Sequence, residues 1–364
     1  MYLLPALLMV FGLPLIGVTI AGETVERYLE FPPVTDFVRH APFSWTAFTL
    51  IVLFVLTTTL PIVIRLIRTR VPSIEKEAAP RKFPWWGWVA ITWLAVWWVL
   101  AWTRFDWFRF LQPHTFTPLW LGYIALVNAL ACARSGRSLL THRTRYLLAL
   151  FPLSAVFWWS FEYLNRFVQN WHYVGTEQFS MAGYILHATI SFSTVLPGVI
   201  STTDLLTTFP RLRARASRLW PIRTHRPKFI AGMILIGACM VMYLIGRFPN
   251  YLFPFVWMGP VFLIVSVQTL IGRRTILSTV AHGNWAPIVL PALAALVCGF
   301  FWELWNVNSL AHWEYTVPFI NRFQIFEMPL LGYAGYLPFG LECMVVAGLI
   351  ARDGIHPHLS TATH

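Results

Sequence analysis

The chain predicts an all-α fold: a polytopic integral membrane helix bundle of about ten transmembrane helices. Three observations carry that expectation. Of 364 residues, 57% are hydrophobic and only 12% are charged, where a soluble domain is about a quarter charged. Apolar stretches near the roughly 20 residues that span a bilayer recur at about 2–20, 44–66, 85–103, 116–133, 146–163, 184–205, 229–246, 251–271, 287–305 and 331–351. Basic residues cluster in alternate loops between them.

That alternation sets the expected orientation. Arg65, Arg68, Arg70, Arg81 and Lys82 follow the second stretch, and Arg134, Arg137, Arg143 and Arg145 the fourth. A basic run from Arg211 to Lys228 follows the sixth, Arg273 and Arg274 the eighth, and Arg352 the last. The opposite loops carry fewer cations: Arg27, Arg39, Arg104, Arg109, Arg166, Arg247 and Arg322. This positive-inside pattern predicts a multi-pass protein of the cell (inner) membrane with both termini cytoplasmic. It also accounts for the net charge of +12. No nucleic-acid partner is expected, while anionic lipid headgroups are attracted to the same loops. The opening stretch, MYLLPALLMVFGLPLIGVTI, has no basic leader and is read as a span rather than a cleaved signal. Cys132, Cys239, Cys298 and Cys343 fall inside expected spans without paired metal spacing, and are read as small packing residues.

The chain also resembles itself. FFWELWN at 300–306 answers WSFEYLN at 159–165, so that Glu303 and Asn306 match Glu162 and Asn165, each 141 positions apart. Trp313-Glu-Tyr315 answers Trp171-His-Tyr173 one residue further on, YLFP at 251–254 answers FLQP at 110–113, and RRTIL at 273–277 answers GRSLL at 136–140. The expected organisation is two leading helices with an outer loop (1–83), a first four-helix repeat (84–227), and a second with a short cytoplasmic tail (228–364). Four spans is an even number, so the repeats enter the membrane from the same side and are parallel. Such repeats often place a site at their interface.

The polar residues are placed accordingly. At about 1.5 Å per residue, Glu162 lies about 24 Å beyond Tyr146, and Glu303 about 24 Å beyond Pro287, so both reach the outer interface. A spacing of three puts each Glu and its Asn on one helical face. The plainer alternative is an aromatic belt at wet helix ends, with Asn as a stop signal. Only 15 residues are acidic, yet Glu162, Glu177, Glu303, Glu314, Glu327 and Glu342 all fall in or beside these regions. Glu23, Glu26, Glu30 and Asp36 lie in the first outer loop, placed to cover them. Glu342 lies deeper, roughly 14 Å into the last span, where an ionised acid costs about 2.5–3.5 kcal/mol. It is therefore either neutral or facing a polar cavity, and is a functional candidate on that ground. A neutral Glu bonded to backbone opened by Pro338 is the structural alternative. VPFINRFQIFEMPLLGYAGYLPFG, rich in Gly and Pro, reads as a partly submerged lid or as a loop of proline turns.

His172 and His312 sit near outer helix ends, and His187 just inside a span. Haem held between helices needs a facing histidine pair, and His187 is the only histidine well placed inside a span. No cofactor and no metal are predicted, because the zinc, nucleotide and serine-hydrolase motifs are all missing from the sequence.

The pattern from Glu303 through Trp313-x-Tyr315, Pro329, Gly332-Tyr333 and Pro338-x-x-x-Glu342 resembles the motif region of membrane-embedded carotenoid-modifying proteins, the lycopene cyclase domains and carotenoid hydratases. Two departures are plain. Those cyclase halves typically have three spans rather than four, and their Pro-x-Glu-Glu is absent here. The resemblance implies intramembrane carboxylates that protonate a polyene.

The expected function is binding of a long apolar substrate, an isoprenoid or other lipid, between the repeats, with acid–base chemistry of the cyclase, hydratase or isomerase kind. Glu303 and Glu342 are the catalytic candidates, with Glu162 as pseudo-symmetric partner and Asn306 and Asn165 orienting the carboxylates. The binding candidates are His187, His312, His172, Trp305, Trp313, Tyr315, Trp171, Tyr173 and Glu327. Two alternatives stay open: a proton-coupled transporter, and a non-catalytic lipid-binding or accessory subunit with partners in a membrane complex.

Overall fold

The computed structural model describes residues 3–71 and 81–351. Arg352 and the tail expected after it lie outside the described residues. Two helices lead, α1 (Leu3–Ile20) and α2 (Trp45–Arg68). Then come α3 (Trp85–Trp102), α4 (Phe116–Ser135), α5 (Thr144–Val168), α6 (Met181–Phe192) and α7 (Val195–Thr207). The last four are α8 (Pro227–Ile245), α9 (Gly259–Leu270), α10 (Ala286–Asn306) and α11 (Tyr336–Gly348).

Local chemistry sets the helix ends. Ser44 caps α2 by accepting from the Ala47 N–H. Gly136, at φ 79°, closes α4 by donating to the Cys132 carbonyl. Prolines stand in the first turns of α8, α9 and α10, where a missing N–H costs nothing.

Among the described residues, eight helical segments are long and apolar enough to cross a membrane, which makes this a multi-pass membrane architecture. Two departures from the expected ten, and one break within a span that still counts as one of the eight, follow from the backbone. Leu4–Ile20 is apolar but shorter than the eight. Pro249–Trp257 and Gly259–Leu270 pass only as a pair bent by 55°. Pro254 and Pro260, which lack the N–H a continuous helix needs, flank that bend. The expected span 184–205 is interrupted between α6 and α7 at Ser193–Thr194.

The bundle is assembled from recurring neighbours. α3 packs on α4, and α8 on α9. α4 and α5 pack on α7, and α9 and α10 on α11. The two groups meet where α7 lies against α10 and α11, and α1 lies along α8 and α9. At Gly340 a Cβ would come within 2.2 Å of the Pro291 carbonyl oxygen, so α11 seats on α10 only because that residue is glycine. α2 is the exception. None of its residues is buried. Its first turn is held by the Ser44 N–H on the Phe319 carbonyl and by Phe43, Trp45 and Phe48 around Phe323.

The fold is not purely helical. Strands β1 (Trp171–Val174) and β2 (His312–Tyr315) pair antiparallel. The segment expected as a lid contains a second small ribbon, β3 (Gln324–Ile325) with β4 (Met328–Pro329), and a 3-10 turn, Leu330–Gly335, that runs into α11. Leu330–Gly348 counts as one apolar span.

Candidate functional site: two buried glutamates behind an aromatic ribbon

α10 ends in Glu-x-x-Asn and α5 carries the same pattern in its last two turns, and each Asn bends the chain that follows back over its own helix. Asn165 donates to the Trp171 carbonyl at 2.7 Å and accepts from the Asn170 N–H at 2.8 Å. Asn306 donates to the Trp313 carbonyl at 2.7 Å and accepts from the Trp313 N–H at 2.8 Å. Each clasp delivers one strand to the same place, and the two strands become β1 and β2.

Their register pairs Trp171 with Tyr315, His172 with Glu314, Tyr173 with Trp313 and Val174 with His312. Opposed residues on paired strands point to the same face, and successive residues to opposite faces. Trp171, Tyr173, Trp313 and Tyr315 therefore share one face, and His172, His312 and Glu314 the other. Each Trp opposes the other strand's Tyr, so the pairing looks the same from either strand.

The aromatic face carries the hydrogen bonds. Glu162 Oε1 accepts from Tyr173 Oη at 2.6 Å, Trp158 Nε1 at 2.9 Å and Trp171 Nε1 at 3.1 Å. Glu303 Oε1 accepts from Tyr336 Oη at 2.6 Å and Tyr315 Oη at 2.8 Å, while Trp313 Nε1 donates to Tyr315 Oη at 2.7 Å. Both carboxyls are out of solvent, Glu162 at 1% and Glu303 at 0% exposure. Burial first, and then the neighbouring carboxyl, push the Tyr173 and Tyr315 hydroxyls well above the usual phenol range, so both stay protonated donors. Glu303 Oε2 is buried without a partner among the described residues.

In front of this face lies a cavity of about 690 Å³. Trp171, Tyr173, Trp313, Tyr315 and Tyr336 wall one end, and α2 forms a side from Ile51 to Leu66. The rest is largely apolar side chain from α6, α10 and α11. Glu162 and Glu303 stand behind their aromatic donors rather than in the wall itself. The loop between α1 and α2 covers the same end. Thr35 Oγ1 accepts from Asn165, the Pro32 carbonyl accepts from Arg166, and Arg166 lies 3.7 Å from Glu30.

The remaining candidates divide. On the far face of the ribbon Glu314 bridges His172 and His312, each contact 3.5 Å, and His312 also reaches the cavity wall. His187 lines the cavity but is not alone. Its Nδ1 lies 3.1 Å from Nδ1 of His114, with Phe179 against both rings. Trp305 is a core residue, packed against Trp98, Trp120 and Phe301. Glu327 is half-buried at the β3–β4 turn. Glu342 is enclosed in the bundle at 1% exposure. It is not among the cavity-lining residues, and its Oε2 has no partner among the described residues.

Sequence reasoning missed three groups: Tyr336 as a donor to Glu303, Trp158 as a donor to Glu162, and His114 opposite His187. It also missed a signal. Leu196-Pro197 and Leu337-Pro338 are again 141 positions apart, and each lies in the first turns of a helix that closes the site, α7 or α11. No protein-family model, no curated protein and no solved structure matches the chain.

Proposed function

We propose that this is a multi-pass protein of the inner membrane, with both termini cytoplasmic. It holds a long apolar molecule, an isoprenoid or other lipid, and transforms it by acid–base chemistry. The observation that carries this reading is the cavity. Its walls are apolar, and its polar end is made of the aromatics that tether two buried carboxyls. A mostly apolar pocket of this volume with a few convergent polar groups is the ordinary form of a small-molecule site.

In this reading ten crossings result when α1 spans despite its length and the bent pair counts as one. The two four-helix groups are then parallel copies. The matched Glu-x-x-Asn clasps, the recurring helix neighbours and the ribbon's register support the duplication.

Glu303 is the acid–base residue, because its second oxygen is uncommitted. Tyr315 and Tyr336 stand between it and the cavity and relay the proton. A proton leaves the carboxyl through a tyrosine and forms a C–H bond at one alkene carbon, leaving a carboxylate and a carbocation. The cation closes on a second double bond, or takes up water, and the proton then lost returns to the carboxylate. Aromatic faces around the cavity stabilise the cation in transit. Glu162, with three donors on one oxygen, holds the ribbon in place.

The test is to purify the protein in mild detergent, identify co-purifying lipids by mass spectrometry and absorption spectrum, and assay conversion of the lipid found. Glu303→Gln is expected to abolish conversion while leaving the lipid bound. Full activity in Glu303→Gln removes the acid–base role. One feature favours a second reading. The 55° bend and the α6–α7 break both lie beside the cavity, as do the discontinuous helices of transporters. Uptake into liposomes with the solute chemically unchanged selects that alternative.

A further inference from the structure

We infer that the cavity takes an uncharged, single-chain lipid laid along α2 with its one polar end at the ribbon, and that lipids with a charged headgroup are refused. This rests on the reading that the cavity holds an apolar molecule, and adds the charge, shape and direction of that molecule.

Shape comes from α2. Ile51 and Leu66 both line the cavity, and fifteen residues of helix separate them by about 22 Å. A space of about 690 Å³ drawn out over that length accommodates an extended chain.

Direction comes from where the polar groups lie. Along α2 the only hydroxyls in the wall are Thr58 and Thr59, and both are spent on the backbone of their own helix. At the other end Asn170, Tyr173, Tyr184, His187, His312 and Tyr315 all reach the wall. Of these, Tyr184 Oη is buried and has no partner among the described residues. A ligand hydroxyl or carbonyl thus finds most of its partners at the ribbon and on the adjoining α6.

Charge comes from what is missing and what stands behind. Among the described residues that line the cavity there is no Lys, Arg, Asp or Glu. A phosphate or carboxylate headgroup would enter with no Lys or Arg to pair with, at a large desolvation cost. Glu162 and Glu303 lie one side chain behind the ribbon, so an ionised headgroup there would meet acids rather than bases. Entry fits the same picture. α2 buries none of its residues, so the side it closes is the one that yields to a molecule arriving from the bilayer.

The full-length protein in nanodiscs is exposed to two photoreactive probes that differ only at the head, hexadecanol and hexadecyl phosphate, each with a diazirine at the tail end. Crosslinked peptides are mapped by mass spectrometry. The alcohol is expected to label the wall near Leu66, Ile288 and Leu293, and the phosphate about tenfold less. Thr58→Trp, on a helix with no buried residue to disturb, is expected to remove that label. Equal labelling by the phosphate overturns the charge selection. Alcohol tails crosslinked at the ribbon overturn the direction, and an undiminished label in Thr58→Trp overturns the placement along α2. If neither probe labels the cavity, the underlying reading fails with it, a result distinct from the other three.

Discussion

The two glutamates sit on the same backbone device and are supplied differently. Glu162 gathers Trp158, Trp171 and Tyr173 directly on one oxygen. Glu303 receives only Tyr315 and Tyr336, while Trp313, the counterpart of Trp171, stops at the Tyr315 hydroxyl. One tether gathers three donors on a single oxygen. The other has two donors and keeps an enclosed second oxygen without a partner among the described residues. A buried carboxyl pinned by three donors is an anchor. One pinned by two, with an enclosed oxygen still to be satisfied, is where a proton or a ligand hydrogen bond has somewhere to go.

The largest expected effect separates these roles by stability. Glu162→Leu strands three buried donors, and each costs about 1–3 kcal/mol unmade. Its apparent melting temperature in detergent should therefore fall further than that of Glu303→Leu, which strands two. Conversion should show the opposite order in the Gln variants, with Glu303→Gln losing far more than Glu162→Gln. If the two rank the same way in both measurements, the division into anchor and reactive group is wrong.

Next come the clasps. Asn165→Ala and Asn306→Ala each remove one donor and one acceptor from buried or part-buried backbone at a ribbon strand, about 2–3 kcal/mol by the same reasoning. Asn165 should be the more costly, since it also donates to Thr35 at 3.2 Å. Equal losses would mean that the α1–α2 loop contributes nothing to the first site.

How much of this was legible in the sequence follows from the range of each interaction. The Glu-x-x-Asn faces lie within one helical turn, and the spacing alone places Glu162 with Asn165 and Glu303 with Asn306. The ribbon was not legible. Four residues such as Trp-His-Tyr-Val are too short for an alternation to register, and their partner strand lies well over a hundred residues away. Trp158 and Tyr336 were hidden for a related reason. A Trp in an apolar helix reads as belt, and only the packing of α11 on α10 brings the Tyr336 hydroxyl to Glu303. Hydropathy found the apolar lengths but averaged over Ser193–Thr194 and over the bend after Trp257, because both breaks are made of residues apolar or small enough to pass unnoticed in a window of twenty.

Smaller effects test the tyrosines. Tyr315→Phe removes a donor to Glu303 and also the acceptor for Trp313, so it should cost about 1–2 kcal/mol more than a surface change. Tyr336→Phe removes a single donor and should cost about 1 kcal/mol. Both variants should lose conversion if the tyrosines relay the proton. If Tyr336→Phe converts normally, the route runs through Tyr315 alone.

The smallest effect on stability is the most informative about the ligand. The Tyr184 hydroxyl is buried at the cavity and has no partner among the described residues, so it bears a desolvation cost with nothing in return. Tyr184→Phe should leave the ligand-free protein unchanged or up to about 1 kcal/mol more stable. If the polar end of the bound lipid is what this hydroxyl awaits, the same variant should weaken binding of hexadecanol several-fold, roughly one hydrogen bond's worth, and should leave binding of the plain alkane as it was. A loss of stability without ligand would show that the hydroxyl serves the fold. Equal weakening of alcohol and alkane would show that it serves only the shape of the cavity, and the polar end would have to be sought elsewhere on the ribbon.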